Sequence, residues 1–305
     1  MDRATLKQTL DEIAAESGVL ARTCSLLSSG PKRSLSIDAD GITLVLHESN
    51  CAFHWVPEDP RTAVASLVAL GTYEPVELEI LSSLATTSSV TLDIGANVGF
   101  YAVFIGRVVE SHGTLHCFEP LPTAFEQLNK NISLNNLHKH VFAHNLALSD
   151  STGIETLHIP QISGTSATSM RNLHPDEVTI AHEVRTETLD SWVSRNGVEQ
   201  VDLVKIDVEG AERLVLRGGW SMISTHKPVI FAELLRKWSA GFGYHPQQVV
   251  KELKNLGYRC YAVGPELRQI DEIDDDTVET NFLFLTDSEP HSQKLDSLRS
   301  IGLVS

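Results

Sequence analysis

Three carboxylates stand at or just beyond the ends of apolar runs in the second half of the chain. Asp207 and Glu209 follow the run from Val201 to Ile206, and Glu233 follows Pro228-Val-Ile-Phe-Ala232. One polar residue at the end of a strand is ordinary turn chemistry, but three acids at neighbouring strand ends are more than turns require. Gathered on one rim they could remove a proton from a hydroxyl nucleophile, and His182 is a further candidate base behind them. Glu212 reads more simply as an acid in the first turn of a helix, complementing its dipole. No compact ligand spacing demands a metal, and no metal site is assigned.

A second set lies upstream, in Val90-Thr-Leu-Asp-Ile-Gly-Ala-Asn-Val-Gly-Phe-Tyr101. This reads as a buried strand, a glycine turn and the start of a helix. A dinucleotide fingerprint needs glycines at the first, third and sixth positions so that pyrophosphate can approach the backbone, and Asn97 occupies the third. Asp93, two residues before Gly95, suits a cationic or hydroxyl-bearing ligand better than a phosphate. Glu119 lies 20 residues after Gly99, following a second apolar strand Thr114-Leu-His-Cys-Phe118, where an acid can grip ribose hydroxyls. Adenosine without phosphates fits this pair of signals, and S-adenosylmethionine is the cofactor they favour. Ala96, Phe100 and Tyr101 in the loop and helix start, and Pro120 beside Glu119, belong with the same contacts. Tyr73 and Glu74 could stand over the loop, and the turn from Asn145 to Ala147 would flank an adenine.

These residues need a parallel sheet to bring them together. Three strand and helix alternations between Val90 and Leu148, then strands ending at Asp207 and Glu233, predict an α/β fold with ligands at the strand C-termini. Residues 151–185 break the rhythm with Gly153, Pro160 and a hydroxyl-rich centre, and read as a long functional loop. Before the sheet, Leu6, Leu10, Ile13 and Ala14 suggest a short amphipathic helix that could cover the sheet or mediate homodimerisation. Asp38-Ala-Asp-Gly41 between alternating runs predicts a hairpin. The expected organisation is an extension over 1–70, a cofactor-binding domain over 71–289 and a tail over 290–305.

The 305 residues carry 24 Lys and Arg against 40 Asp and Glu, so the net charge is 24 − 40 = −16. That balance argues against nucleic-acid and anionic-membrane partners, which are gripped by clustered basic residues, and favours a small-molecule substrate. No run approaches the roughly 18 apolar residues of a membrane span, and the N-terminus lacks a signal-peptide pattern, so a cytoplasmic location is expected. Cys24, Cys51, Cys117 and Cys260 are scattered and suggest neither a disulfide framework nor a zinc knuckle.

Six segments in register carry a family resemblance. They are Gly71-Thr-Tyr-Glu-Pro75, Leu92-Asp-Ile-Gly-Ala-Asn-Val-Gly-Phe-Tyr101, Cys117-Phe-Glu-Pro120, Asn145-Leu-Ala-Leu-Ser-Asp150, Val204-Lys-Ile-Asp-Val-Glu-Gly-Ala-Glu212 and Ile230-Phe-Ala-Glu233. Together they resemble the FkbM-type S-adenosylmethionine-dependent methyltransferases over roughly residues 71 to 286. The resemblance implies a class I methyltransferase, Rossmann-like fold: a seven-stranded, mostly parallel sheet with helices on both faces and an antiparallel last strand. It further implies O-methylation of a hydroxyl or carboxyl on a sugar, polyketide, lipid or peptide natural product. By the same carry-over Asp93, Gly95, Asn97 and Gly99 would line the methionine side, Glu119 the ribose and Asn145 to Ala147 the adenine. Two competing readings are a methyltransferase acting on RNA or protein, disfavoured by the acidic charge, and a non-catalytic cofactor-binding subunit.

Overall fold

A computed structural model describes residues 33–59 and 61–303. The N-terminal helix expected around Leu6 to Ala14, and Cys24, lie outside the described residues. The chain divides into two compact units, one ending at Tyr73 and one beginning at Glu74.

In the first unit, β1 (Arg33–Asp38) and β2 (Gly41–Leu46) pair antiparallel around the tight turn where Asp38 faces Gly41. A third strand, β3 (Cys51–Trp55), extends the sheet beyond the simple hairpin. Helix Ala63–Leu70 lies against β3, and Leu44, Phe53, Val64 and Leu67 are buried. Thr62 caps the helix start by accepting the Ala65 N–H at 3.2 Å, and Gly71, with φ +79°, ends it in a left-handed turn that few other residues adopt.

The second unit is built on eight strands rather than seven. Its parallel part comprises β4 (Val90–Ile94), β5 (Thr114–Phe118), β6 (Val141–His144), β10 (Leu203–Ile206) and β11 (Val229–Glu233), in the spatial order β6-β5-β4-β10-β11. Beyond β11 come β14 (Asn281–Leu285), β12 (Arg259–Ala262) and β13 (Arg268–Ile270), each antiparallel to its neighbours. The additional strand β13 is three residues long, too short for period-two alternation to register. The order reverses between β4 and β10, the crevice where open α/β sheets bind ligands. The central strands are buried on both faces, with Leu92, Ile94, Val204, Ile206, Ile230 and Ala232 in one core under the crossover helices.

The stretch 151–185 is not a long loop. β8 (Gly153–Pro160) and β9 (Thr179–Thr188) form an antiparallel hairpin, and β7 (Ala147–Ser149) joins β9 in a separate three-stranded sheet. Only residues 161–178 connect them irregularly, with a turn of 3₁₀ helix at Thr165–Ala167. The third strand, which the sequence predicts from His140 to Leu148, accordingly divides at Asn145 into β6 and β7, which belong to different sheets. The C-terminal segment forms helix Glu289–Ser300, which packs on helix Pro75–Ala85. There the buried Lys294 ammonium donates to the Leu84 carbonyl at 3.2 Å and to Ser88 Oγ at 2.6 Å.

Candidate active site

The loop after β4 is pressed against the end of β10. A Cβ on Gly95, whose φ is +83°, would fall 1.8 Å from the Asp207 carbonyl oxygen, so only glycine fits. All five amides of this loop are internally committed. Gly95 and Ala96 both donate to the Phe118 carbonyl at 3.0 Å, and Gly99 donates to the Ala96 carbonyl at 2.9 Å. Asn97, in the left-handed region at φ +48°, donates to Glu119 Oε2 at 2.9 Å, while its own side-chain oxygen accepts the Val98 N–H at 2.6 Å. None is left to face a pyrophosphate, and this geometry does not suit a dinucleotide.

Glu119 is buried beside this loop and takes one backbone N–H on each carboxylate oxygen, from Asn97 at 2.9 Å and from Leu121 at 2.8 Å. A carboxylate offers about four lone-pair sites, so two remain to accept a vicinal diol, and the residue fits a ribose. Burial pushes its carboxyl up to about 7, against the pull of the two N–H donors. Asn145 fixes the neighbouring turn by donating to the Glu119 and Pro120 carbonyls at 3.0 and 2.9 Å, and Ala147 is buried where β7 begins. Phe100 and Tyr101, the first residues of helix Phe100–Val109, are buried with their rings edge-on, 5.0 Å apart.

Asp93, expected at the methionine portion, stands on β4 beside β10. It is wholly buried, and its carboxylate faces Lys205 Nζ at 3.3 Å, its register partner on β10. Lys205 also lies 3.3 Å from Asp207 Oδ2 and 4.8 Å from the centre of the Tyr101 ring, and Tyr101 donates a 2.5 Å hydrogen bond to Glu74. Burial works against the Lys205 charge, but Asp93, Asp207 and Glu74 together outweigh it and hold the ammonium above its ordinary range. Burial likewise raises the Glu74 and Asp93 carboxyls, opposed by Tyr101 and Lys205 respectively. Glu74 belongs to this unit as the left-handed residue before helix Pro75–Ala85, whereas Tyr73 closes the other unit. Lys205 was not singled out from the sequence. Its signal is a lone lysine in the buried strand Leu203–Ile206, two residues before an acid.

Asp207, Glu209 and Glu233 do come together: each offers a carboxylate oxygen, and the three atoms lie within 4.8 Å of one another. Although the sequence has no ligand motif, this spacing could hold a divalent cation. Burial, then the charge of Asp207, raises both glutamates, and Glu233 also hydrogen-bonds Asp207. Glu209 sits at φ +50°, a left-handed conformation that costs a non-glycine residue about 1–3 kcal/mol and persists only where the surroundings enforce it. His182 does not join them: it is exposed on β9, where strand pairing with β8 carries it into the small sheet.

The family model described as Methyltransferase FkbM domain matches residues 93–260, from Asp93 on β4 to Cys260 within β12. The chain belongs to the FkbM methyltransferase family. Among curated relatives, Methyltransferase sdnD of Sordaria araneosa is 32% identical over 158 residues, covering 42% of this chain and 59% of that protein. The 2-O-methyltransferase NoeI of Sinorhizobium fredii is 32% identical over 157 residues, covering 47% and 63%. The chain thus spans about three fifths of the length of the curated relatives it matches. The crystal structure of Methyltransferase FkbM from Methylobacillus flagellatus superposes with a TM-score of 0.42 at 15% identity, covering 65% of this chain and 43% of that one. The O-methyltransferase from Bacillus cereus, solved in complex with SAH, gives 0.42 at 13% identity, covering 74% and 87%.

Proposed function

We propose that this FkbM-family enzyme methylates an oxygen, a hydroxyl or carboxyl, on a small molecule such as a sugar, polyketide, lipid or peptide. The observation that carries the reading is the grouping of Asp207, Glu209 and Glu233 at the ends of two adjacent strands beside the glycine loop. Oxygen as the acceptor atom is supported by two relatives, the 2-O-methyltransferase NoeI and the 31-O-demethyl-FK506 methyltransferase FkbM of Streptomyces tacrolimicus. The net charge of −16 supports a small acceptor over a polyanion.

In this reading Glu119 accepts the ribose hydroxyls, the turn from Asn145 to Ala147 borders the adenine, and the Gly95 to Gly99 loop shapes the wall. Asp93 acts indirectly by fixing Lys205. When bound, the cofactor supplies an electrophilic methyl on a sulfonium, and the sulfur keeps the bonding electron pair as that methyl leaves. The protein must then align the acceptor oxygen, exclude water and take up the hydroxyl proton as the oxygen–carbon bond forms. An ionised member of the acid group receives that proton; a carboxylate acceptor would need no base. The close spacing of the three acids favours a second version, in which they hold a divalent cation that lowers the hydroxyl's pKa.

Transfer of tritium from methyl-labelled S-adenosylmethionine to a panel of sugar, hydroxy-acid, polyketide and peptide acceptors tests the reading. Label should appear in an ether or ester product. Cofactor binding without transfer to any oxygen acceptor, together with an undiminished biological role in Asp207→Asn and Glu233→Gln variants, would point to a non-catalytic subunit instead.

A further inference from the structure

Glu209 and Gly210 form two consecutive left-handed residues, at φ +50° and +97°, between β10 and helix Glu212–Gly218. Three side chains from separate elements hold the polar groups of this turn. Ser169, buried in the 161–178 connection, donates its hydroxyl to the Glu209 carbonyl at 2.7 Å. Glu212 Oε1 accepts the Gly210 N–H at 2.8 Å and lies 3.4 Å from the Val208 nitrogen. Tyr244, buried and just beyond helix Arg236–Gly241, places its hydroxyl 3.0 Å from the Gly210 carbonyl and 2.9 Å from Glu212 Oε2. On the other side a Cβ at Gly210 would meet the Trp238 carbonyl at 2.8 Å and the Phe242 ring at 2.9 Å, so the turn cannot shift in that direction.

Neither Glu212 nor Tyr244 is part of the acid group. An acid that merely complemented a helix dipole would need no buried tyrosine against it, nor would it reach back to the amide two residues before it. We infer that Glu212 and Tyr244 are positioning residues that lock the Glu209–Gly210 turn and thereby hold the Glu209 carboxylate against Asp207 and Glu233. The inference rests on the reading of that group as the proton-handling centre. The strained turn supplies the reason for the lock: released from its partners, Glu209 would relax to an ordinary backbone conformation and its carboxylate would swing out of reach of the others.

The full chain is tested as Tyr244→Phe, Glu212→Ala and Glu212→Gln, with amide hydrogen exchange, S-adenosylhomocysteine affinity, and turnover on the acceptor panel described above. Tyr244→Phe and Glu212→Ala should speed exchange at Gly210 by about tenfold or more. They should also lower kcat by about a hundredfold, the scale of a misplaced group, and leave the KM for S-adenosylmethionine nearly unchanged. Affinity for S-adenosylhomocysteine should stay within about twofold of the parent. Glu212→Gln keeps an oxygen for the Gly210 N–H and should recover most of the turnover that Glu212→Ala loses. Should Tyr244→Phe fail to fold, the ordering of the two Glu212 variants carries the test. Unchanged Gly210 exchange in Tyr244→Phe and Glu212→Ala overturns the inference, and so does a kcat loss as large in Glu212→Gln as in Glu212→Ala. Full turnover in Glu209→Gln with accelerated Gly210 exchange in Tyr244→Phe would sink the proton-handling reading while leaving the lock itself in place.

Discussion

The Lys205 ammonium lies 3.3 Å from an Asp93 carboxylate oxygen and 3.3 Å from one of Asp207. Asp93 is wholly buried and Asp207 partly open, so one lysine ties the interior of β4 to the first acid of the candidate active site. Through the Tyr101 ring and its bond to Glu74, the same lysine also joins the start of helix Pro75–Ala85 to the strand ends.

Lys205→Met should therefore damage the fold as well as the site. Removing one partner of a buried ion pair strands the other charge and typically costs about 3–5 kcal/mol. Urea denaturation measures this; a midpoint equal to the parent's would show that Asp93 takes up a proton in the variant at little cost.

Glu119→Ala should weaken S-adenosylmethionine binding by about 10²- to 10⁴-fold, as two hydrogen bonds to a charged acceptor are lost at about 1.5–3 kcal/mol each. Calorimetric titration reads this directly, and affinity within a few-fold of the parent would remove Glu119 from the ribose.

The acid group predicts how turnover depends on pH. Burial and then the charge of Asp207 raise the Glu209 carboxyl above the usual carboxylate range, so its ionised, basic form is favoured as the pH climbs. With a hydroxyl acceptor and a metal chelator present, kcat should rise from neutral toward alkaline pH. A divalent cation would stabilise the ionised carboxylates and move that rise to lower pH. A flat profile indifferent to Mg²⁺ would mean that the acceptor arrives ionised. Glu233→Gln and Asp207→Asn should each lower kcat by about 10²- to 10⁴-fold, the usual contribution of a positioned base.

Acid sensitivity of the fold should trace to the pair His116 and His144, whose ring nitrogens lie 3.1 Å apart against Trp192. Burial lowers both from 6.5 to about 4, aided at His116 by His144 and at His144 by Arg195. As pH falls below about 6.5 the unfolded chain takes up protons that the folded chain refuses, so this contribution to stability is lost progressively toward pH 4. His144→Gln should show a shallower decline of Tm between neutrality and that limit. A decline as steep as the parent's would place the sensitivity elsewhere.

The chemistry-bearing strand ends were legible in the sequence because Glu119, Asp207 and Glu233 each close an apolar run and could be ordered along a parallel sheet, while Asp93, inside its run, was marked by the glycine turn two residues on. Lys205 was hidden by the opposite pattern, a charge inside a run, where only its pairing with Asp93 across two strands makes sense of it. The hairpin of β8 and β9 read as a loop because its strands lack clean alternation; residues 180–183 are exposed in succession. Glu212 shows the limit of local reasoning most clearly, for its partner Tyr244 lies 32 residues away.

The loop whose amides are all engaged says something about how cofactor choice is written into this fold. Selectivity against a diphosphate does not reside in Asn97 alone: Asn97→Gly would supply the third glycine but leave Phe100 at the sixth position, and it would free only the Val98 N–H while the other four stay engaged. Converting the crevice to nicotinamide cofactors would require breaking the contacts to Phe118, Glu119 and Ala96 together. Under the proposed reading, rejection of a diphosphate is thus a collective property of the folded turn rather than of any one of its residues.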